Sequence, residues 1–208
     1  MRIVKVVAAL AAVVLALGGL EARASTLSWT GDTLQDGLSW HRPTVNTNPG
    51  SVLALVGGGE RYLVEHVVVD TTGSYSLTVN ATGKGVGDWA SGSTQSILSF
   101  LYAGAFDPDQ PLVGEIENGS CGSACGQRDW THTLTAGTDY FVVITGYCGT
   151  GVGATSFECA PVNTQLDAGP FAASLTGPGN IAAVPEPASF ALVLLALAGV
   201  VASRRQRD

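Results

Sequence analysis

The stretch Arg61 to Asp70, RYLVEHVVVD, followed after Thr71-Thr72-Gly73 by Ser74 to Asn80, SYSLTVN, decides the fold class. Both segments are dense in β-branched and aromatic residues, which are stiff at χ1 and pack well on a pleated surface. The second alternates strictly, with Tyr75, Leu77 and Val79 on one face and Ser74, Ser76 and Thr78 on the other. A period of two marks a strand with one buried face. Thr71-Thr72-Gly73 reads as the turn between the two strands.

The same punctuation recurs outward from this pair. Ser96 to Tyr102, SILSFLY, sets Ile97, Ser99 and Leu101 against Leu98, Phe100 and Tyr102, the pattern of a strand buried on both faces. Thr131 to Thr135, Ala136-Gly137-Thr138 and Asp139 to Tyr147 read as a hairpin with a three-residue, Gly-containing loop. Pro170 to Thr176 adds a late strand, and Leu27 to Trp29 with Leu38 to Trp40 add early ones. No long helical period interrupts the series. Short strands between Gly-rich loops predict an all-β domain, an antiparallel β-sandwich or jelly roll.

Both ends of the chain carry a different grammar. Arg2 and Lys5 precede an apolar run from Val6 to Leu20, and Ala22-Arg23-Ala24 offers a small-x-small cleavage site. Together these read as a secretory signal peptide over residues 1–24, with Ala22 and Ala24 at the cut and the mature chain beginning near Ser25. At the other end stands VPEPASFALVLLALAGVVASRRQRD. Pro185 and Pro187 hold Glu186 in an extended segment that a protease can grip. The uncharged run from Ala188 to Ala202 would reach about 22 Å as a helix, somewhat short of a ~30 Å hydrocarbon core. Arg204, Arg205 and Arg207 supply the positive charge that keeps this end in the cytoplasm.

The C-terminal segment closely resembles the PEP-CTERM sorting signal of Gram-negative bacteria, in its Pro185-Glu186-Pro187 motif, its short hydrophobic helix and its basic end. The resemblance implies an inner-membrane precursor that an exosortase cuts near the motif and passes to the cell surface or extracellular polysaccharide matrix. The domain organisation expected is a signal peptide over 1–24, a β-sandwich domain over 25–183 and a sorting signal over 184–208. A second likeness runs through TGSYSLTV, SFLYAGAFDPDQPL, LTAGTDYFVVITGY and GPFAASLTGPGNI. This pattern resembles the β-sandwich module of many exported PEP-CTERM proteins and is similar to bacterial pre-peptidase C-terminal domains. Such modules are generally non-catalytic, which implies a surface or matrix role.

Between Ser25 and Pro187 fifteen Asp and Glu face four cationic residues, Arg42, Arg61, Lys84 and Arg128, a formal charge of −11 where the whole chain has −7. That balance repels nucleic acid, whose recognition needs clustered Lys and Arg. It suits a solvated surface, a divalent cation or a neutral glycan.

Cys121, Cys125, Cys148 and Cys159 are even in number and sit in a chain addressed to an oxidising compartment, so disulfides are expected. Their spacing is no standard zinc pattern. Proximity favours Cys121 with Cys125 and Cys148 with Cys159. A hairpin turning at Gly137 would instead bring Cys148 near Gly126 and favour Cys125 with Cys148.

His41, His66 and His132 are scattered, and no nucleophile elbow, zinc-helix or phosphate-loop motif is present, so the expectation is a chain that is not an enzyme. His66 is expected on a solvated strand face and His132 on a strand surface. Asp107 and Asp109 on a Pro-braced loop are candidate calcium ligands, with turn capping as the competing and favoured role. No other cofactor is implied. Trp29 and Trp40 read as core, while Trp89 in the Gly- and Ser-rich stretch Gly83 to Ser93 is the ring best placed to stack on a sugar. The leading expectation is a non-catalytic envelope or matrix component whose partners are signal peptidase, exosortase and exopolysaccharide. The alternative is a glycan- or calcium-binding adhesion module.

Overall fold

The computed structural model describes residues 24–45, 47–54, 59–86, 97–119, 129–147 and 167–184. Among them ten strands form: β1 (Ala24–Asp32), β2 (Leu38–Trp40), β3 (Glu60–Val69), β4 (Gly73–Ala81), β5 (Ile97–Ala103), β6 (Glu115–Asn118), β7 (Trp130–Leu134), β8 (Asp139–Gly146), β9 (Pro170–Pro178) and β10 (Ile181–Ala183). Four make one sheet in the order β1-β9-β4-β7. Six make the other, in the order β10-β3-β8-β5-β6 with β2 also on β3. The pairings within both sheets are antiparallel. The chain is therefore an all-β antiparallel sandwich.

The alternation in SYSLTVN survives intact. Tyr75, Leu77 and Val79 are buried between the sheets while Ser74, Ser76 and Thr78 face water. They join Val67 and Val69 of β3, Tyr140, Val142 and Ile144 of β8, and Phe171 and Leu175 of β9 in the central core. The six-stranded sheet carries a second core on its outer side, built from Trp40, Val45, Tyr62, Leu98, Phe100, Tyr102 and Val143. The first six residues of β5 are accordingly all buried, as two-sided patterning requires. Trp40 donates from Nε1 to Thr145 Oγ1 at 3.1 Å, so its one polar atom is matched inside the outer core.

The segment 131–147 departs from expectation. β7 pairs with β4 and β8 pairs with β3 and β5, so the two strands belong to opposite sheets and make no hairpin. Thr135 to Thr138 is an arch that carries the chain from one layer to the other. The same holds for the turn between β3 and β4 and for Gly179-Asn180 between β9 and β10. Consecutive strands placed in opposite sheets need such crossings, and loop composition does not tell an arch from a hairpin.

All three arches lie at one end of the sandwich and are tied together. The Asp70 carboxylate accepts from Asn180 N and Asn180 Nδ2, each at 2.7 Å, and from Thr71 Oγ1 at 2.9 Å. Asp70 N returns a bond to Asn180 O at 3.1 Å. Gly137 N donates to Val69 O and Ala136 N to Thr72 Oγ1, both at 2.9 Å. The Tyr75 hydroxyl reaches Thr71 O at 2.7 Å and also Pro178 O. Donation by the Asn180 backbone and amide, then by Thr71, holds the Asp70 carboxyl below its ordinary range. Its contribution is present above the ordinary carboxylate range and is lost as pH falls through the depressed value.

Gly179 has φ +72°, and a Cβ there would stand 2.2 Å from both Asp70 Oδ1 and Thr71 Oγ1. Gly179→Ala should therefore cost about 1–3 kcal/mol from the left-handed backbone, and more through the displaced carboxylate. Urea unfolding monitored by tryptophan fluorescence would check this; a variant as stable as the parent would contradict the clasp.

Candidate functional site

The chain leaves the sandwich along the open edge of β3. β2 covers Glu60 to Tyr62 of that edge and β10 covers Val67 to Val69. Between them Leu63 to His66, paired with β8 on their other side, meet no strand on this edge among the described residues, and Val184 N donates to His66 O at 2.8 Å. Beside this opening Leu38, Tyr62, Val64, Phe106, Pro108 and Phe141, with Asp36 at the rim, line a largely apolar groove of about 550 Å³. The sorting residues Pro185, Glu186 and Pro187 and the basic tail Arg204, Arg205 and Arg207 lie outside the described residues. Ala22 does also, whereas Ala24 opens β1 opposite Pro178. Among the described residues no helix is long and apolar enough to cross a membrane.

Cys121, Cys125, Cys148, Cys159 and Trp89 likewise lie outside the described residues. The hairpin that favoured Cys125 with Cys148 is replaced by the β7–β8 arch, which withdraws that argument. Trp40 is buried and Trp29 packs on the central core, as their strand contexts predict, and Trp130 is buried as well.

Asp107 spends its carboxylate on its own turn. Oδ1 accepts Asp109 N at 2.9 Å, Oδ2 accepts Gln110 Nε2 at 3.2 Å, and Gln110 N donates to Asp107 O at 3.0 Å. This is the Asx-type capping expected of Asp before Pro. No group of three or more His, Cys, Asp and Glu able to hold a metal occurs among the described residues.

The histidines are each held by one acceptor or carboxylate. His66 Nε2 lies 2.7 Å from Asp139 Oδ1 and its ring stacks on Phe141 at 4.4 Å. The face is thus the outer one, as expected, but His66 is largely covered there, with a side chain 17% exposed. His132 Nδ1 lies 3.0 Å from Glu117 Oε2 and joins β7 to β6 across the two sheets, not the plain surface position expected. His41 Nε2 is 2.6 Å from Ala54 O. None of these partners is near in sequence, so pattern alone could not pair them.

Three buried carboxylates, Glu60, Glu115 and Asp167, escaped the sequence reading because none sits in a motif. Glu60 is fully buried, and neither oxygen has a hydrogen-bond partner among the described residues. Desolvation raises its pKa, opposed by its own backbone N–H and by the charges of Arg42 and His41. Glu115 accepts Gly50 N at 2.9 Å and Asn118 Nδ2 at 2.6 Å on Oε1, and Oε2 has no partner among the described residues. Burial pushes its carboxyl up, against those two donors and with help from nearby Glu117.

The outer face of the four-stranded sheet is of another kind. Alternate residues present Thr26, Ser28 and Thr30 on β1, Ser174 and Thr176 on β9, Ser76, Thr78 and Asn80 on β4, and Thr131 and Thr133 on β7. Cross-strand pairing sets Thr26 Oγ1 2.9 Å from Thr176 Oγ1 and Ser76 Oγ 2.8 Å from Thr131 Oγ1. Among the described residues the nearest charges along these strands are Asp32, at the end of β1, and Asp129, just before β7. A shallow groove of about 350 Å³ crosses the face between Ser28, Thr30, Thr78, Asn80 and Ser174.

Residues 183–206 match the PEP-CTERM protein-sorting motif. Among curated proteins none matches the chain. Similar solved structures include PliG of Aeromonas hydrophila, a periplasmic inhibitor of g-type lysozyme, at 11% identity and TM-score 0.32, covering 74% of this chain and 86% of that one. Another is CBM35 from Cellvibrio japonicus Abf62, at 12% identity and TM-score 0.33, covering 77% and 99%. At such scores neither assigns a role to this chain.

Glu115 supplies a pH prediction. A carboxyl raised in the folded state favours folding below its unfolded value, and that advantage is lost as pH rises through the folded value. Glu115→Gln keeps an oxygen for Gly50 and Asn118 while removing the buried charge. The variant should match the parent near pH 4 and exceed it in stability at pH 7, as read by urea midpoints at the two pH values. A variant weaker at pH 7 would show that the charge is compensated.

Proposed function

We propose that the chain is an exported, non-catalytic component of the cell surface or extracellular polysaccharide matrix, made as a membrane-anchored precursor and processed by an exosortase. The observation that carries this reading is the sorting motif over residues 183–206, which begins on the last residue of the final strand. The motif implies export and exosortase processing. The Asp107 turn cap supports a structural role over a calcium-dependent one for that loop.

Mass spectrometry of the surface form should find a start near Ser25 and an end close to Pro185. Glu186→Ala should leave the intact precursor in the inner membrane, because the anchor itself is untouched. An arginine tail on released protein would refute the processing reading.

A second reading, adhesion to a neutral glycan, is favoured by the hydroxyl-lined outer face of the four-stranded sheet. Its side chains offer donors and acceptors at strand spacing with no carboxylate among them, which suits an uncharged polysaccharide and disfavours an acidic one. Thr78→Asp, at the centre of the face, should abolish retention on an insoluble neutral glucan without altering the melting temperature. Equal retention of parent and variant would remove this face from consideration.

A further inference from the structure

The four-stranded sheet ends in β1, and that edge is unguarded. The other outermost strands are short, with three residues in β2 and β10, four in β6 and five in β7. β1 has nine, paired with β9 in one unbroken register from Ala24 opposite Pro178 to Asp32 opposite Pro170. It holds no lysine, arginine, proline or bulge, the devices by which an open edge is kept from pairing. Its one charge is Asp32, at the very end.

Backbone phase fixes what this edge offers. Thr33 N bonds Gly169 O at 3.0 Å in the same register, so the odd-numbered residues of β1 turn both N–H and C=O to β9. Pro170 accordingly falls opposite Asp32, where β1 needs no N–H from it. Thr26, Ser28 and Thr30 turn their backbone groups the other way, to a side on which no strand among the described residues pairs with β1. Their side chains stand on the hydroxylic outer face. Leu27 and Trp29 point inward and are half-buried, packed on the margin of the central core.

We propose that β1 pairs antiparallel with β1 of a second copy about a two-fold axis at Ser28, joining their four-stranded sheets into one continuous sheet. The strand complements itself in that register. Thr26 falls opposite the partner's Thr30 and Ser28 opposite the partner's Ser28, and each such pair exchanges two backbone bonds. On the inner face Leu27 falls opposite the partner's Trp29, at a position of the kind where side chains come closest, so each ring extends the other copy's core. A shift of register by two residues leaves strand ends unpaired, whereas the register centred on Ser28 uses the whole strand. The two Asp32 carboxylates then lie at opposite ends of the ladder. The contact is isologous and closes at two copies; pairing of β1 with β7 of another copy would propagate, and β7 offers five residues against nine. The dimer sets two hydroxylic faces side by side and stands whether or not that face binds glycan.

Cross-linking of the full chain in detergent micelles tests the register. Residues opposite each other in bonded pairs lie about 5.5 Å apart at Cα, within disulfide range. Ser28→Cys should therefore link to itself on mild oxidation. Thr26→Cys alone should not, because its two copies stand four residues apart along the ladder, roughly 13 Å, yet it should link when mixed with Thr30→Cys. Sedimentation should give a dimer for the parent. Ser28→Pro, whose lost N–H faces away from β9, should raise the dissociation constant at least about tenfold while the circular dichroism stays that of the parent. A monomeric parent, assemblies growing beyond two copies, a dimer unmoved by Ser28→Pro, or Thr26→Cys linking to itself as readily as Ser28→Cys would each overturn the proposal.

Discussion

The grip of Asp70 on Asn180 is the constraint on which this sandwich turns. A two-layer β fold in which consecutive strands change sheets needs arches, and an arch exposes backbone groups that neither sheet can satisfy. Here three arches share one end, and a single carboxylate takes the amide and side chain of the third while sitting in the first. The Gly137 and Ala136 amides then fasten the second arch to Val69 and Thr72. Tyr75 closes the set from below, in a space that exists because Gly177 has no side chain: a Cβ there would lie 2.1 Å from the ring. The residues that set the layer spacing are thus polar, exposed and small, while the apolar core fills the space they define.

The two sheets are unequal, and the inequality separates structure from surface. The six-stranded sheet is buried on both sides, with rings of Trp40, Tyr62 and Tyr102 gathered around Phe106 at centroid distances of 5.5, 5.5 and 4.9 Å. Each large buried side chain is worth roughly 1.5–3 kcal/mol of transfer free energy, so this doubled core gives a modest domain ample stabilisation. The four-stranded sheet is buried on one side alone, and its free side is hydroxylic. In a chain this acidic, keeping carboxylates off a whole sheet face confines the repulsion to loops and rims. That leaves one broad surface on which a neutral partner can lie.

What the sequence made legible follows from the range of the signal. SYSLTVN and SILSFLY declare one-sided and two-sided burial through local alternation, and both read correctly. The sorting signal is a linear address and is readable in full. Ala136-Gly137-Thr138 was misread because a positive-φ glycine serves an arch as well as a hairpin; only the partners of β7 and β8 distinguish them. EIEN and IAA, which form β6 and β10, are too short and too polar or small to show a period. The pairings of His66 with Asp139 and of His132 with Glu117 span the fold, as do the burial of Glu60 and Glu115. No spacing rule reaches such distances.

The arches also give the domain a polarity that bears on its cysteines. With three crossings at one end, the other passages between the two sheets lie at the opposite end, while the β5–β6 connection stays beside the arches, where Gly104 N bonds Asp139 O. β5 starts where β8 ends, since Ile97 lies opposite Gly146, and Gly119 N bonds Ser99 O at 3.0 Å. The chain thus leaves β6 at Gly119 and β8 at Tyr147 within the same small region, and the four cysteines follow in the segments that begin there. Loss of the hairpin removes the cross-strand argument for Cys125 with Cys148, and all four cysteines lie outside the described residues. Local pairs would staple each segment to itself, whereas a bridge between them would close the end of the sandwich opposite the Asp70 clasp. The second arrangement constrains more of the unfolded chain and so stabilises more, by the slow logarithm with which loop length enters.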